Sequence, residues 1–153
     1  MRKLLLLSGT LVGFALLTGA VTQGSPSLTG PGTIRITSLD SKVMVVNRGA
    51  ASRGTGDVLL VRQLLFNKGI RKTSIGHAEL VCTYTGPRAR QCNGTYSLPR
   101  GTIVVSGSLQ YRDFFRLAVV GGTELYDNVN GSLTVTRYTR KPRREVLLFR
   151  LTI

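Results

Sequence analysis

Eight runs rich in β-branched and apolar residues follow one another from residue 33 to the end of the chain, separated by clusters of turn-forming residues. Within the runs apolar and polar residues alternate, so that Ala78 and Leu80 share one face of a strand and Glu79 lies on the other. The clusters between the runs, such as Asn47-Arg48-Gly49, are rich in residues that favour turns. The pattern predicts strands at Ile34–Val46, Asp57–Phe66, Ile75–Tyr84, Arg90–Leu98, Thr102–Tyr111, Phe115–Val120, Gly131–Tyr138 and Glu145–Thr152.

The short connections between these strands favour an up-and-down order, in which each strand pairs with the next one along the chain. Eight antiparallel strands are enough for a sheet to close on itself, which removes its exposed edges. We therefore expect an all-β fold, an eight-stranded antiparallel up-and-down β-barrel. Such a barrel is either filled by side chains or holds one small ligand, and both alternatives stay open here. The residues expected to line a ligand cavity are Tyr84, Leu109, Tyr111, Phe115 and Phe149.

The N-terminus has the three parts of a secretory signal peptide in order. Arg2 and Lys3 are followed by the apolar run Leu4–Leu17 and then by the small residues Thr18-Gly19-Ala20. The apolar run is shorter than the ~20 residues that span a bilayer as a helix, although a retained N-terminal anchor is the alternative. We therefore predict a signal peptide over 1–20 cleaved near Ala20, a flexible leader over 21–32, and a secreted or extracytoplasmic barrel domain over 33–153.

Cys82 and Cys92 are the only two cysteines of the chain. They lie symmetrically about Pro87, so a hairpin that turns near this proline places them opposite each other on neighbouring strands. Cysteines of exported proteins usually pair, whereas a zinc site needs two more ligands and the chain has one histidine. The spacing therefore predicts a Cys82–Cys92 disulfide.

His77 and Glu79 are weak candidates for catalysis, because a histidine and a carboxylate on one face of a strand are within reach of a proton relay. A solvent-facing patch or a subunit contact is the alternative. The sequence contains no metal-binding motif, phosphate-binding loop or hydrolase motif. It therefore predicts no metal site and no cofactor.

The formal charge of the chain is +14, and subtracting Arg2 and Lys3 leaves +12 on the processed form. A charge of this size attracts anionic partners, among them acidic polymers of a cell envelope. No pattern of interleaved basic and aromatic residues indicates specific nucleic-acid binding. The alternative is a solvated basic rim that keeps an exported protein soluble.

Several motifs together resemble the barrel superfamily of allene oxide cyclases and dirigent proteins, especially its secreted bacterial members. The motifs are Gly56-Asp57-Val58, Gln63-Leu64-Leu65, Lys68-Gly69, Ile75-Gly76-His77-Ala78, Cys92-Asn93-Gly94-Thr95-Tyr96, Ser106-Gly107, and Ala118-Val119-Val120-Gly121-Gly122-Thr123 followed by Tyr126 and Gly131. The resemblance implies an eight-stranded barrel with a hydrophobic cavity, often assembled as a trimer. The outer face of the last strand is partly apolar, which also favours a homo-oligomer.

The residues that would carry dirigent chemistry do not match. The strand that has an Asp-Asp-Pro-Leu segment in plant dirigent proteins reads Arg62-Gln63-Leu64-Leu65 here, and Leu125 and Asn130 occupy two further polar positions. We therefore expect a barrel without the acids of that family. The favoured function is binding of a small apolar or aromatic molecule. The alternatives are an isomerase, cyclase or dirigent-like enzyme using the same cavity, and a basic envelope-associated protein without a ligand.

Overall fold

The computed structural model describes residues 30–49, 54–67, 73–110 and 113–153. The predicted signal peptide, most of the predicted leader and Tyr111 lie outside these residues. The described part of the chain forms one closed antiparallel barrel. Its strands are β1 (Gly32–Val46), β2 (Val58–Asn67), β3 (Gly76–Tyr84), β4 (Ala89–Leu98), β5 (Gly101–Gln110), β6 (Phe114–Gly122), β7 (Asn130–Arg140) and β8 (Arg143–Thr152).

Each strand pairs with its neighbours in the chain, and β8 closes the barrel by pairing with β1 from Gly32↔Leu151 to Leu39↔Arg144. The prediction of an eight-stranded up-and-down antiparallel barrel is confirmed. The predicted strand ends differ from the observed ones by at most two residues, as at Ile34 against Gly32.

The inward residues of all eight strands form a single core. Tyr96 on β4 and Phe149 on β8 are almost fully buried and meet edge to face, with ring centroids 5.2 Å apart. Leu65, Ile103, Val105, Leu133 and Leu147 are also fully buried. The middle of the barrel is therefore filled by side chains.

One end of the barrel is closed by a 3₁₀ turn over Glu124–Tyr126, in the connection from β6 to β7. Tyr126 and Val129 are buried under it. β6 continues to Gly122, two residues beyond its predicted end at Val120, and the chain then makes the 3₁₀ turn. The β7–β8 turn, Arg140–Arg143, lies at the other end because connections alternate between the ends of an up-and-down barrel. We call that end the mouth.

Gly131, the last residue of the motifs given above, lies at the start of β7, where both its backbone conformation and its surroundings require a glycine. Its φ is +138°, a conformation that other residues rarely adopt. A Cβ at this position would also overlap the carbonyl oxygen of Arg150 on the neighbouring strand. Both constraints exclude a larger residue at this closure between β7 and β8.

The pairing of β1 with β2 shifts register between Asp40 and Lys42. The pairing of β7 with β8 shifts register between Arg137 and Thr139. Irregularities of this kind re-aim side chains and are common beside functional sites. Both shifts lie in the half of the barrel nearest the mouth. They adjoin the polar residues described next.

Candidate functional site

Five polar or charged side chains contact one another in the mouth end of the barrel interior. They come from four adjacent strands and are largely buried: Asp40 on β1, Gln63 on β2, Arg137 on β7, and Arg143 and Glu145 on β8. We call these five residues the polar cluster. Each continues the inward phase of its strand, as Glu145 does before Leu147 and Phe149.

Glu145 is the centre of the cluster. One oxygen, Oε1, accepts hydrogen bonds from Nη2 and Nε of Arg137, at 3.0 and 3.2 Å. The other oxygen, Oε2, accepts a hydrogen bond of 2.9 Å from Nε2 of Gln63. The side chains of Arg137 and Glu145 are only 8% and 6% exposed, so this ion pair is almost completely removed from water.

Gln63 links the two carboxylates of the cluster. Its Nε2 also donates to Oδ1 of Asp40 at 2.9 Å, while Nη1 of Arg143 lies 3.2 Å from Oδ2 of the same carboxylate. The Oε1 atom of Gln63 is buried and has no hydrogen-bond partner. Because both carboxylates require a donor, the amide is held with its oxygen pointing away from them.

The pKa shifts differ in direction between the buried cluster and the surface beside it. It raises the pKa of Asp40, and the Gln63 hydrogen bond and the Arg143 charge offset only part of that effect. It also raises the pKa of Tyr96, with the nearby charges of Glu145 and Asp40 acting in the same direction. At the surface, the hydrogen bond from Arg140 holds the pKa of Asp113 below its usual value. Asp113 in turn contacts Nη1 of Arg137 at 3.2 Å, which ties the cluster to the β5–β6 connection.

A cavity of about 30 Å³ lies beside the cluster. Its polar lining residues are Gln63, Arg90, Arg137, Arg143 and Glu145, and its apolar lining residues are Leu59, Val61, Leu80, Cys82, Leu109 and Phe115. This volume has room for one or two water molecules. The sequence left open a barrel filled by side chains and a barrel that holds a ligand. This structure is closer to the filled barrel, with a small polar cavity at the mouth.

The aromatic and apolar residues predicted to line a cavity divide into two groups. Leu109 and Phe115 line the cavity at the mouth. Tyr84 and Phe149 are buried in the core, where the hydroxyl of Tyr84 has no hydrogen-bond partner. The fifth residue, Tyr111, is outside the described residues.

The candidate catalytic pair His77 and Glu79 lies on the outer face of β3, opposite to the inward face that carries Ala78. Glu79 is exposed and its Oε1 lies 3.6 Å from Nε of Arg62 on β2. The pair is therefore separated from the polar cluster by the wall of the barrel.

The predicted disulfide is confirmed. Cys82 on β3 and Cys92 on β4 are direct cross-strand partners with an S–S distance of 2.01 Å. Both side chains point inward, and Cys82 lines the cavity. The bridge thus fixes the wall of the barrel beside the candidate site.

The barrel nevertheless contains buried acids. Gln63 occupies a strand position where the dirigent pattern has acids, and Asp40 and Glu145 bring carboxylates to it from other strands. The resemblance did not indicate these two acids, because neither lies in a motif that carries it. Extending the alternation of Leu147 and Phe149 back by two residues would have placed Glu145 inside.

Within the described ranges, no three His, Cys, Asp or Glu side chains lie together in a way that could hold a metal ion. The same part of the chain has no helix long and apolar enough to cross a membrane. The polar groups at the mouth are carboxylates, guanidinium groups and one amide.

No family model matches the sequence, and no curated protein matches it. Solved structures do match. A pyocyanin demethylase has a TM-score of 0.69 and 22% identity, over 79% of this chain and 100% of its own. A pterocarpan synthase dirigent protein has a TM-score of 0.60 and 14% identity, over 79% of this chain and 82% of its own. A Diels-Alderase from Streptomyces koyangensis has a TM-score of 0.60 and 14% identity, over 80% of this chain and 69% of its own.

At these identities the matches establish the fold. The strand order, the closure of β8 on β1 and the agreement with dirigent and cyclase barrels all point the same way. The chain has the eight-stranded barrel fold of the dirigent proteins and cyclases, as its sequence motifs predicted.

Proposed function

We propose that this protein binds a small, largely apolar or aromatic molecule at the mouth of the barrel, against the polar cluster. The buried ion pair of Arg137 and Glu145 is the observation that carries the proposal. Removing two charges from water costs several kcal/mol, and apolar residues of similar size would often stabilise a barrel at least as well. Buried charges beside an apolar-walled cavity are typical of binding sites.

The size of the cavity determines how a ligand would enter. At about 30 Å³ it is far below the roughly 300–1,000 Å³ of ordinary ligand pockets, so side chains must move aside. Leu80 and Phe115 are the lining residues best placed to do so, because both are only partly buried. A rotation of the Phe115 ring toward solvent would join the cavity to the mouth.

Fluorescence titration of residues 21–153 with small naphthalenes tests this proposal. We expect binding by the unmodified protein and tighter binding by Phe115→Ala, because removing the ring leaves space beside the cavity. Leu117→Ala is the matched control, since Leu117 is the next inward residue of β6 and does not line the cavity. Failure of both the unmodified protein and Phe115→Ala to bind any naphthalene would refute the proposal.

Proton transfer on the bound molecule is a second candidate function, of the isomerase or cyclase type. Asp40 and Glu145 are hydrogen-bonded to the same amide, and burial raises the pKa of Asp40. A carboxyl group that keeps its proton closer to neutral pH is a better general acid. The Diels-Alderase and the pyocyanin demethylase that share the fold support this candidate.

Screening with unsaturated epoxides and phenoxy-radical precursors would test catalysis. We expect product enantiomers in unequal amounts with the unmodified protein and equal amounts with Asp40→Asn. Racemic products from every substrate with the unmodified protein would count against catalysis while leaving binding intact.

We also propose that the barrel is exported after cleavage near Ala20. The disulfide supports this, because disulfides persist mainly in oxidising compartments. Intact mass measurement of the protein produced from the full-length chain should show the loss of residues 1–20. A full-length mass in the cytosolic fraction would contradict export.

A further inference from the structure

We infer that the molecule bound at the mouth is an anion that also carries a hydrogen-bond donor, such as a hydroxylated aromatic carboxylate. This inference rests on the proposed binding function and specifies the class of ligand. It follows from the charges that line the cavity and from one buried oxygen atom.

The charges around the cavity are unequal. Arg90, Arg137 and Arg143 line it together with a single acid, Glu145, so the lining has two more positive than negative charges. Counting also the two other acids that contact these arginines, Asp40 and Asp113, and Arg140, which shares Asp113, leaves one positive charge in excess. A cavity of this polarity favours an anionic ligand over a neutral or cationic one.

The turns around the mouth add to the positive potential. The β3–β4 turn carries Arg88 and the β7–β8 turn carries Arg140 and Lys141, and neither turn contains an acid. The two nearby acids are already engaged, since Asp113 contacts Arg137 and Arg140, and Asp57 accepts backbone hydrogen bonds. An approaching anion therefore meets a basic rim before it reaches the cavity.

Arg143 is the side chain best placed to bind the anion. Its guanidinium has five N–H donors, and among the described residues its one ion-pair contact is the 3.2 Å contact from Nη1 to Asp40. It is 25% exposed, so it can be reached from the mouth. A guanidinium with donors to spare suits a carboxylate, which it can bind through two parallel hydrogen bonds.

The Oε1 atom of Gln63 indicates the second feature of the ligand. Gln63 lines the cavity and is 3% exposed, and this oxygen has no hydrogen-bond partner. A buried acceptor without a donor costs about 1–3 kcal/mol. The amide cannot turn to relieve this cost, because its Nε2 donates to both Asp40 and Glu145. A hydroxyl or N–H group on the ligand would supply the missing donor.

Three probes separate these features: 6-hydroxy-2-naphthoate has the charge and the donor, 2-naphthol has the donor alone, and 2-naphthoate has the charge alone. Dissociation constants are measured by fluorescence or calorimetry with the unmodified protein and with Phe115→Ala. We expect 6-hydroxy-2-naphthoate to bind about tenfold more tightly than either of the others at low salt. The advantage over 2-naphthol should shrink as salt rises.

Variants of Arg143 test whether this side chain binds the carboxylate of the probe. Arg143→Gln should abolish the preference for the carboxylate over 2-naphthol, and Arg143→Lys, which keeps the charge, should retain part of it. Arg150→Gln is the matched control, because Arg150 is exposed on the outer face of the same strand. Since the probe comparison needs no variant, a folding defect of Arg143→Gln does not prevent the test.

The possible outcomes are distinct. Equal binding of 6-hydroxy-2-naphthoate and 2-naphthol, or tighter binding of 2-naphthol, overturns the anion inference but supports the proposed binding function. Equal binding of the two naphthoates overturns the role of Gln63 as acceptor. Absence of binding of all three probes to both proteins refutes the proposed function itself and this inference with it.

Discussion

The effect of the ion pair between Arg137 and Glu145 on stability can be tested by removing one charge alone and then both. Arg137→Met leaves Glu145 buried and unpaired, and we expect the free energy of unfolding to fall by about 3–5 kcal/mol. The double variant Arg137→Met/Glu145→Leu should recover most of that loss, because neither charge of this pair is left buried without the other. Urea unfolding of the unmodified protein, the single variants Arg137→Met and Glu145→Leu, and the double variant measures the difference.

The exposed pair of Arg62 and Glu79 is the control for that cycle. Both side chains are more than half exposed and the contact is 3.6 Å, so Arg62→Met should cost less than about 1 kcal/mol. If the double variant at Arg137 and Glu145 were no more stable than Arg137→Met, the cost would not come from the unpaired charge.

Asp57 should give stability that depends on pH. Backbone N–H groups of Arg48 and Gly54 donate to its carboxylate and lower its pKa below 3.8. A lowered pKa in the folded state means that this contribution is present above pH 3.8 and is lost as the pH falls through the folded-state value. Asp57→Ala should therefore lower Tm most at neutral pH, with the difference narrowing in acid.

Thr55→Ala, in the same connection but without a carboxylate, provides the baseline for that measurement. A difference in Tm between Asp57→Ala and the unmodified protein that stayed constant from pH 7 to pH 2 would show that the carboxylate charge is not involved.

Individual residues also show where sequence reasoning stops. Alternation separated the two faces of β3, and the spacing about Pro87 identified the disulfide. The polar cluster was missed because charged residues are normally exposed unless paired. The partners of Glu145 include Gln63, which is 82 residues away in the chain, so their meeting depends on barrel closure.

Among the strands, β3 and β4 depend on the disulfide between them. The bridge closes a loop with a sequence separation of 10 residues, which should stabilise the fold by about 2–3 kcal/mol on the chain-entropy model. Reduction with dithiothreitol should lower the unfolding free energy by that amount in denaturant titrations. The variant Cys82→Ala/Cys92→Ala should be insensitive to reductant, and an unmodified protein equally insensitive would contradict the prediction.

β1 has an edge that no described residue covers. β8 pairs with β1 only as far as Leu39, so the strand beyond it is hydrogen-bonded to β2 alone. Val43 and Met44 in this stretch are 47% and 45% exposed. An exposed apolar edge of this kind favours pairing with another chain. It is a candidate contact for the homo-oligomer that the sequence suggested.

Val43→Lys tests that contact. We expect the unmodified protein to self-associate in sedimentation velocity as its concentration rises. Val43→Lys should weaken this association, because a charge on an edge strand opposes strand pairing. Val104→Lys is the control, since Val104 is exposed on β5, which has a neighbour on each side. If the unmodified protein stayed monomeric, or if both variants behaved alike, the edge would not be the contact.

The strands themselves were predictable because each has a period of two and is bounded by a turn sequence. The structural details toward the two ends of the barrel were less predictable. The register shifts in β1 and β7 and the 3₁₀ turn over Glu124–Tyr126 follow from barrel closure, which no single strand encodes. The same closure decides that the polar cluster and the cavity lie together.

In the molecule as a whole, the basic residues divide into two sets with different surroundings. Arg137 and Arg143 are inside and are paired with Glu145 and Asp40. Arg35 on β1 and Arg150 on β8 are exposed on the outer face, on strands that pair directly. Among the described residues, the exposed arginines therefore add to the charge of the outer surface, separately from the arginines inside the mouth.

This division predicts two separable kinds of anion binding. The outer set should retain the protein on heparin, used as a probe for acidic envelope polymers, and retention should fall as salt rises because exposed charges are screened. Arg35→Gln/Arg150→Gln should elute at lower salt than the unmodified protein while keeping its affinity for 6-hydroxy-2-naphthoate. Arg143→Gln should lose affinity for 6-hydroxy-2-naphthoate but elute from heparin at nearly the same salt concentration as the unmodified protein. Retention independent of salt would exclude a charge mechanism, and parallel losses in all variants would mean that the two sets act as one surface.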